Sequence, residues 1–452
     1  MPPDMRRALE HAEDAQLAPY AARAAHARRR HALDDDGRAF DYRTAFQRDR
    51  DRIVYSRAFR RLRLKAVAGS MPGYEDHRRN RLSHGLEVAQ VARTVARALR
   101  LNEDLTEAVA LGHDLGSPPF GPAGERALDD ALSGRLDGRG GLGLGDLGGF
   151  RRGRQGLRVV DVLEKRYDHP GLNLTDDVRE GILKCGWPEP SAEPGVEGVR
   201  AGLAPGFEVQ AVALADRIAT ALGDLDDALE TAVVTVEQVE RLRPVAELRR
   251  KLGSRWRPRA GRFMKAAAIH RGLTHLLVTG AFLHGAKTLA AWARRHGVES
   301  SARFREVRDD AVRGDEIALS EAGARLLAEL EWFLESRVHR GRDAERADGR
   351  ARRVLLGLLA AYHSDPGLVE DHVLLRFKEV AGRPFLRDVP RLEVEAEIAR
   401  YYRPDPRFAR SLADHVAAMT DPYAIAEHAR LMDSGAIPIP SVEQLRREET
   451  ER

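Results

Sequence analysis

The sequence predicts an all-α protein: a helical bundle that continues into additional C-terminal helices. Hydrophobic residues make up 43% of the 452 residues and aromatic residues only 6%, a balance typical of helical bundles. In several stretches apolar residues recur at spacings of three and four, the period of an amphipathic helix. Convincing strand patterns are lacking, and we expect at most a short hairpin around 375–395.

Composition divides the chain into consecutive regions. These are an N-terminal arm at 1–40, a helical core at 41–240, a C-terminal helical region at 241–436 that completes the bundle, and a solvated tail at 437–452. The arm contains Arg28, Arg29 and Arg30, and we expect it to be a solvated basic segment. Residues 133–149 are rich in glycine but lack the Lys-Ser/Thr ending of a phosphate-binding loop, so we predict a flexible insertion there. A second such segment, 187–206, has the proline and glycine content of a linker.

Charge and cysteine content restrict the function classes. The net charge of +4 arises from 74 basic and 70 acidic residues, which permits nucleic-acid binding but gives it little support. Cys185 is the single cysteine, so no internal disulfide can form, and we expect a cytoplasmic protein. Apolar runs fall short of the ~18 residues that cross a bilayer, so we expect no membrane partner.

Residues 79–125 are the stretch around which the chain is organised. The apolar face of its first helix consists of Val88, Val91, Val95 and Leu99. His84 lies one helical turn before Val88, so the spacing predicts that its imidazole points into the same interior.

Two further helices bring acidic and imidazole groups toward that interior. One ends near His113 and Asp114, because Pro118 follows in a Gly/Pro-rich loop that stops it. The other lies about a hundred residues later, where Asp216 follows Val212 on an inward apolar face.

Two imidazoles and two carboxylates in one helical interior predict a divalent-metal site. Imidazole suits Mn, Fe, Zn or Ni and carboxylate suits Mg or Mn, so the set favours Mn, Fe or Mg over a structural Zn. Such a site leaves positions for water and a substrate oxygen, as metal-assisted hydrolysis requires. By itself, a His-Asp dipeptide is more often a hydrogen-bonded core pair or a helix cap.

Several runs, in chain order, resemble the HD-domain deoxynucleoside triphosphate (dNTP) triphosphohydrolases, the dGTPase-like family. The runs are DYRTAFQRDRDRIVYSRAFRRL (41–62), DHRRNRLSHGLEVAQVARTVARAL (76–99), LNEDLTEAVALGHDLGSPPFGPAGE (101–125), LRVVDVLEKRY and GLNLTDDVREGI (157–182), LADRIATALGDLDDAL (214–229) and AAMTDPYA (417–424). The resemblance covers most of the chain apart from about 235–405, where only the general helical character matches.

The resemblance implies an HD-domain helical bundle in which His84, His113, Asp114 and Asp216 are the ligands of a divalent metal, Mn, Mg or Fe. The family reaction is attack of water at the α-phosphorus of a dNTP, which releases a deoxynucleoside and intact triphosphate. Family members are commonly oligomers, so we expect a homo-oligomer or a hetero-oligomer with a relative.

The resemblance also implies roles for residues around the metal. Arg79 and Arg81 would face the phosphates, and Asp224 would hold the 3′-hydroxyl of the deoxyribose. We assign Arg217, which directly follows Asp216, to the substrate site as well. Glu125 is the remaining member of the usual acid/base group.

The chain departs from the family pattern where the chemistry would take place. The departures are Ser117 for a frequent histidine, Pro122 for the catalytic histidine, Arg152 and Gly153 for a His-Asn pair, Val67 for a glutamine and Thr220 for a tyrosine. Proline has no titratable group, so Pro122 cannot move a proton. Arg152 cannot act as a base, although it can neutralise phosphate charge.

These observations leave three functions open. The first is a dNTP triphosphohydrolase with weakened or altered activity. The second is a catalytically impaired, dNTP-binding regulatory subunit or sensor. The third is an HD-type hydrolase that acts on another phosphate ester. Because the predicted ligands are all present, we favour a metal-dependent hydrolase.

Overall fold

The structure is a computed structural model that describes residues 5–31, 42–67, 79–136, 142–186, 198–200, 202–256 and 261–432. The predicted tail at 437–452 and most of the predicted linker at 187–206 lie outside the described residues.

Within these ranges the chain is helical. The α-helices are α1 Met5–Gln16, α2 Ala45–Val54, α3 Arg57–Arg61, α4 Arg81–Leu99, α5 Glu103–Gly112, α6 Gly121–Leu132, α7 Arg152–Arg158, α8 Asp176–Lys184, α9 Phe207–Glu230, α10 Val236–Val239, α11 Arg243–Leu252, α12 Arg262–His296, α13 Ser301–Ala311, α14 Glu321–Leu334, α15 Arg342–Ser364, α16 Asp371–Ala381, α17 Val394–Glu397, α18 Pro406–Ala418 and α19 Asp421–Met432. The described residues form no strand, and only an isolated bridge joins Lys165 and Gly171. The all-α prediction is therefore confirmed.

The hairpin expected around 375–395 is wrong. Helix α16 and a short 3₁₀ turn at Leu386–Asp388 lie in that range. Val373, Leu374 and Phe377 are buried together on α16, a spacing that fits a helical face and not the alternation of a strand.

The chain divides into two compact units whose segments alternate along the sequence. Unit 1 contains Met1–Arg63, Met71–Gly116 and Arg152–Glu345, and unit 2 contains Leu64–Ser70, Ser117–Arg151 and Arg346–Arg452. The domain boundaries predicted at 40, 240 and 436 follow the sequence alone and stay a prediction.

Unit 1 is built on α4, which packs against α5, α9 and α12. The predicted apolar face of α4, consisting of Val88, Val91, Val95 and Leu99, is buried in the core of this unit. Burial of a face of this kind on one helix supplies most of the free energy that holds the helix in place.

Capping residues determine where these helices begin and end. The side chain of Asn80 accepts the backbone N–H of Ser83 at 2.9 Å, so α4 begins just before His84. Asn102 accepts the N–H of Leu105 at 3.0 Å in the same way, which starts α5. Helix α5 then ends at Gly112 and leaves His113 at its C-terminal cap.

The N-terminal arm is only partly the solvated segment that we expected. Helix α1 has no buried residue and Arg28 is exposed, but Arg29 and Arg30 make ion pairs with other segments of unit 1. The guanidinium of Arg29 pairs with the fully buried Asp49 and also donates to the carbonyl of Asn173 at 2.7 Å. Arg30 pairs with Asp161 at 3.1 Å. These arginines neutralise carboxylates of unit 1. Because the carboxylates lie elsewhere in the sequence, the local sequence around the arginines does not reveal the ion pairs.

Glu13 connects α1 to other segments of unit 1, and its environment predicts that stability depends on pH. Its Oε1 accepts the backbone N–H of Ala24 and the side-chain amide of Asn102, both at 2.8 Å. Burial raises the pKa of Glu13 to about 7, although the Ala24 hydrogen bond opposes the rise. A raised carboxyl pKa stabilises the fold below the unfolded value of about 4.5, and this stabilisation is lost as the pH rises through about 7.

We therefore expect Glu13→Gln to be more stable than the wild type at about pH 8, by on the order of 2 kcal/mol, and close to it at about pH 5. A glutamine Oε1 can accept both hydrogen bonds without a buried charge. The measurement is thermal unfolding of both proteins across this pH range. Glu321→Gln is the matched control, because the Glu321 side chain is 89% exposed. A variant that is equally destabilised at all pH values would contradict this account.

Unit 2 contains Ser117–Arg151, and therefore the part of the Gly/Pro-rich loop that follows Gly116. Its core contains Leu128 of α6, Leu358 of α15 and Phe408 of α18. Asp421, from the TDPYA run, accepts the backbone N–H groups of Phe120 and Ala66 through its two carboxylate oxygens, each at 2.9 Å. These hydrogen bonds connect the start of α6 to a segment of unit 2 that lies far away in sequence.

None of the described helices is long and apolar enough to cross a membrane.

Candidate metal centre

Three helices of unit 1 bring together the four predicted ligands. His84 lies in the first turn of α4, His113 and Asp114 follow the end of α5, and Asp216 lies in the middle of α9. All four residues are buried. One ligand atom each of His84, His113 and Asp114 lies within 4.8 Å of the others.

The His113 imidazole is oriented by the end of its own helix. Its Nδ1 lies 2.6 Å from the Ala110 carbonyl, to which it donates in the tautomer that leaves the lone pair on Nε2. Nε2 is buried without a hydrogen-bond partner in the described part of the chain. It lies 3.6 Å from Oδ2 of Asp114 and 3.7 Å from Oδ1 of Asp216. A buried lone pair that faces two carboxylates is the arrangement a cation needs.

The imidazole of His84 contacts the carboxylate of Asp216. Nε2 of His84 lies 2.9 Å from Oδ1 of Asp216, and the centroids of the His84 and His113 rings are 5.8 Å apart. Thr220, where the family pattern has a tyrosine, donates its hydroxyl to the same Asp216 oxygen at 3.3 Å. The two nitrogens and two carboxylates therefore fit a divalent cation with mixed N and O ligands.

Two guanidiniums neutralise the carboxylates. Arg81 donates to both oxygens of Asp114, at 2.8 and 2.9 Å. Arg152 donates to Asp114 at 3.2 Å and to Asp216 at 3.3 Å. Arg81 was predicted to face the phosphates. It is also a residue that orients Asp114, and the phosphate contact stays a prediction.

The charges around the two carboxylates keep both ionised. Burial alone would raise the pKa of Asp114, but the guanidinium of Arg81, with smaller contributions from the neighbouring His113 and Arg152, holds that pKa well below its usual range. Burial likewise opposes ionisation of Asp216, and the His84 hydrogen bond, together with the neighbouring His113 and Arg152, lowers its pKa. Ionised carboxylates are the form that binds a cation.

The predicted substrate residues Arg79 and Asp224 bind each other. Nη2 of Arg79 lies 2.9 Å from Oδ1 of Asp224, and Nε2 of His339 lies 3.2 Å from Oδ2 of the same carboxylate. Gly223 makes room for the guanidinium, since a Cβ there would lie 1.5 Å from Nη1 of Arg79. Burial and the nearby Asp224 raise the pKa of Asp227 to about 6, and Arg79 opposes this rise.

Arg217 pairs with a carboxylate outside the set of predicted ligands. The Arg217 side chain is 58% exposed and pairs with Glu331 at 3.0 Å. Glu125 lies on α6 in unit 2. Their roles in substrate binding and acid/base chemistry stay predictions.

Cys185 is buried near the carboxylates of Asp114 and Asp216. Burial, followed by the charge of Asp216, raises the pKa of its thiol. The group is therefore a neutral thiol, and not the thiolate that acts as a metal ligand or nucleophile.

Comparisons with known proteins identify the family of the chain. The HD domain family model matches residues 81–221. The chain is 38% identical over 402 residues to a deoxyguanosinetriphosphate triphosphohydrolase-like protein of Azoarcus sp. (strain BH72), covering 87% of this chain and 92% of that protein. A protein of the same description from Caldanaerobacter subterraneus subsp. tengcongensis is 32% identical over 440 residues, covering 97% of this chain and 98% of its own length.

This chain belongs to the deoxyguanosinetriphosphate triphosphohydrolase-like family. A third relative of that description, from Nitrobacter hamburgensis, is 35% identical over 423 residues and covers 88% of this chain and 94% of that protein. The resemblance read from the sequence runs is confirmed, and the helical HD domain spans α4 to α9.

The departures from the family pattern have clear structural positions. Pro122 lies in the first turn of α6, where its missing N–H needs no helical partner. Ser117 is buried and its carbonyl accepts Nζ of Lys65 at 2.6 Å. Arg152 lies against Asp114 and Asp216, a position that neutralises the predicted ligands themselves.

Sequence reasoning missed His339. It lies at the end of a π-helical turn, Glu335–His339, that follows α14, more than a hundred residues after Asp224. No local motif marks it. A π-turn in a helix often occurs at a functional site, but its presence is visible only in the structure.

Proposed function

We propose that this chain is a metal-dependent HD-type hydrolase that splits dNTPs into a deoxynucleoside and intact triphosphate. The observation that carries the proposal is the buried Nε2 of His113, which faces the carboxylates of Asp114 and Asp216 beside His84. The family membership supports the same reaction class, since the relatives are described as dGTP triphosphohydrolase-like.

The proposed metal ligands are His84, His113, Asp114 and Asp216. Two imidazoles with two carboxylates suit Mn, Fe or Mg. The bound cation would supply positive charge to the phosphoryl oxygens and would help to activate water. Arg81 would keep Asp114 oriented through its two hydrogen bonds, at 2.8 and 2.9 Å.

Substrate binding is assigned to the groups near the end of α9. The guanidinium of Arg79 would face the triphosphate, because planar guanidiniums bind phosphate oxygens well. Asp224 would accept the 3′-hydroxyl of the deoxyribose. Their mutual ion pair, at 2.9 Å, would then have to open or share its hydrogen bonds when a dNTP binds. His339 would keep Asp224 oriented on its other oxygen.

Proton transfer is assigned to Glu125. Pro122 has no group that titrates, so the usual histidine of the loop cannot contribute. Loss of a positioned acid or base lowers a rate by ~10²–10⁴, so we propose slow turnover. We also propose that the active form is an oligomer of this chain or of this chain with a relative, and that it acts on the cytoplasmic dNTP pool.

The experiment is a product assay with purified protein, Mn²⁺ or Mg²⁺, and each of the four dNTPs in turn. We expect deoxynucleoside and intact triphosphate in equal amounts, and no product from His84→Ala. If no dNTP is turned over while dNTP binding is still measured, the hydrolase proposal fails. The protein would then be either the regulatory, dNTP-binding relative that Pro122 and Arg152 also permit or a hydrolase of another phosphate ester.

A further inference from the structure

Arg152 bridges the two carboxylates that are proposed to hold the metal. It is the first residue of α7, and its guanidinium donates through Nη1 to Oδ1 of Asp114 at 3.2 Å and through Nη2 to Oδ2 of Asp216 at 3.3 Å. One cationic side chain therefore contacts both acidic groups of the site at the same time.

The formal charges of this cluster cancel. Asp114 and Asp216 contribute two negative charges, and Arg81 and Arg152 contribute two positive charges that no physiological pH removes. A divalent cation would thus enter a cluster that is already neutral. Without Arg152 the same carboxylates would present a net negative charge to the ion.

The two arginines differ in how easily they can leave. The Arg81 side chain is 5% exposed and the Arg152 side chain is 31% exposed. Arg152 also makes longer contacts, 3.2 and 3.3 Å, than the 2.8 Å of Arg81 to Asp114. Arg152 is therefore the group that can retreat toward solvent when another cation arrives.

We infer that the Arg152 guanidinium competes with the divalent cation for the carboxylates of Asp114 and Asp216. This inference rests on the proposed metal site. Arg152 weakens metal binding because the metal must displace it. In the protein without metal, its positive charge stabilises the fold by balancing the negative charges of Asp114 and Asp216. The apparent dissociation constant of the metal should therefore be raised by a constant factor, the inverse of the fraction of molecules in which the side chain has left the carboxylates.

The test is calorimetric titration of chelator-treated protein with Mn²⁺. We expect Arg152→Gln to bind Mn²⁺ at least roughly tenfold more tightly than the wild type. Arg152→Lys keeps the charge and should bind about as weakly as the wild type. Arg250→Gln is the matched control and should leave the affinity unchanged, since the Arg250 side chain is 71% exposed and pairs with Glu247.

The direction in which the Mn²⁺ affinity changes distinguishes competition by Arg152 from a general disturbance of the site. A substitution that merely disturbs the site lowers metal affinity, whereas removal of a competitor raises it. Thermal unfolding adds a second readout: Arg152→Gln should unfold at a lower temperature than the wild type without Mn²⁺, and the difference should shrink when Mn²⁺ is added. This pattern in any Arg152→Gln preparation that unfolds cooperatively supports the inference.

Two results would overturn it in different ways. Mn²⁺ binding by the wild type with equal or weaker binding by Arg152→Gln would reject competition and leave the proposed metal site intact. An absence of Mn²⁺ binding to the wild type and to Arg152→Gln would reject the metal site itself, and the inference with it.

Discussion

Replacement of His113 by alanine is expected to abolish metal binding and to lower turnover far more than the ~10–100-fold typical of groups that only support a metal ligand. The imidazole is fixed by the Ala110 carbonyl at 2.6 Å, and its buried Nε2 faces the acidic pair.

Metal content of the purified protein and the rate of triphosphate release are the two measurements. His275→Ala is the matched control, because His275 is an exposed histidine of α12 and should change neither. A His113→Ala protein that keeps a full complement of metal would contradict the assigned ligand set, even if its turnover fell.

Replacement of Gly116 by alanine is expected to destabilise the protein by about 3 kcal/mol or more. A Cβ at this position would lie 2.1 Å from the carbonyl oxygen of Arg152 and 2.1 Å from the backbone nitrogen of Gly156. Both obstacles are backbone atoms of α7, so no side-chain rotation relieves the overlap. Helix α7 would have to shift, and Arg152 would shift with it.

The measurement is thermal unfolding of Gly116→Ala, with Gly280→Ala as the matched control. At Gly280, within α12, a Cβ would meet only Leu319 at 3.4 Å. Alanine there should be neutral or stabilising by up to ~1 kcal/mol, because alanine favours a helix over glycine. Equal stability of the Gly116 and Gly280 variants would show that the approach of α7 to the His113–Asp114 turn is not rigid.

Much of unit 1 could be predicted because its signals are local. The apolar period of α4 gives the buried face, and the same period places His84 on it. Pro118 marks the stop after Asp114. Local patterns of this kind depend on neighbouring residues in one helix, so a single sequence contains them in full.

The charge network could not be predicted because its partners are distant in sequence. Arg152 is 38 residues from Asp114 and 64 from Asp216, and Arg29 is 20 from Asp49. Each arginine is compatible with a solvated surface when it is considered alone. Only packing shows that these side chains neutralise buried carboxylates.

Pro122 shows how one residue supports two interpretations. Compared with the family pattern, it replaces the catalytic histidine with a residue that has no titratable group. In the structure it also starts α6, where proline is favourable at the first helical turn. A change that removes an acid or base can therefore bring a local structural benefit, and its effect on turnover has to be measured.

The most direct test of the central claim follows the oxygen of water into the products. The reaction would be run in ¹⁸O-labelled water with Mn²⁺ and a dNTP that is turned over. The products would be separated, and their masses would be measured by mass spectrometry. Attack of water at the α-phosphorus predicts one labelled oxygen in the triphosphate and none in the deoxynucleoside. Label in the deoxynucleoside, or release of pyrophosphate in place of triphosphate, would contradict the account.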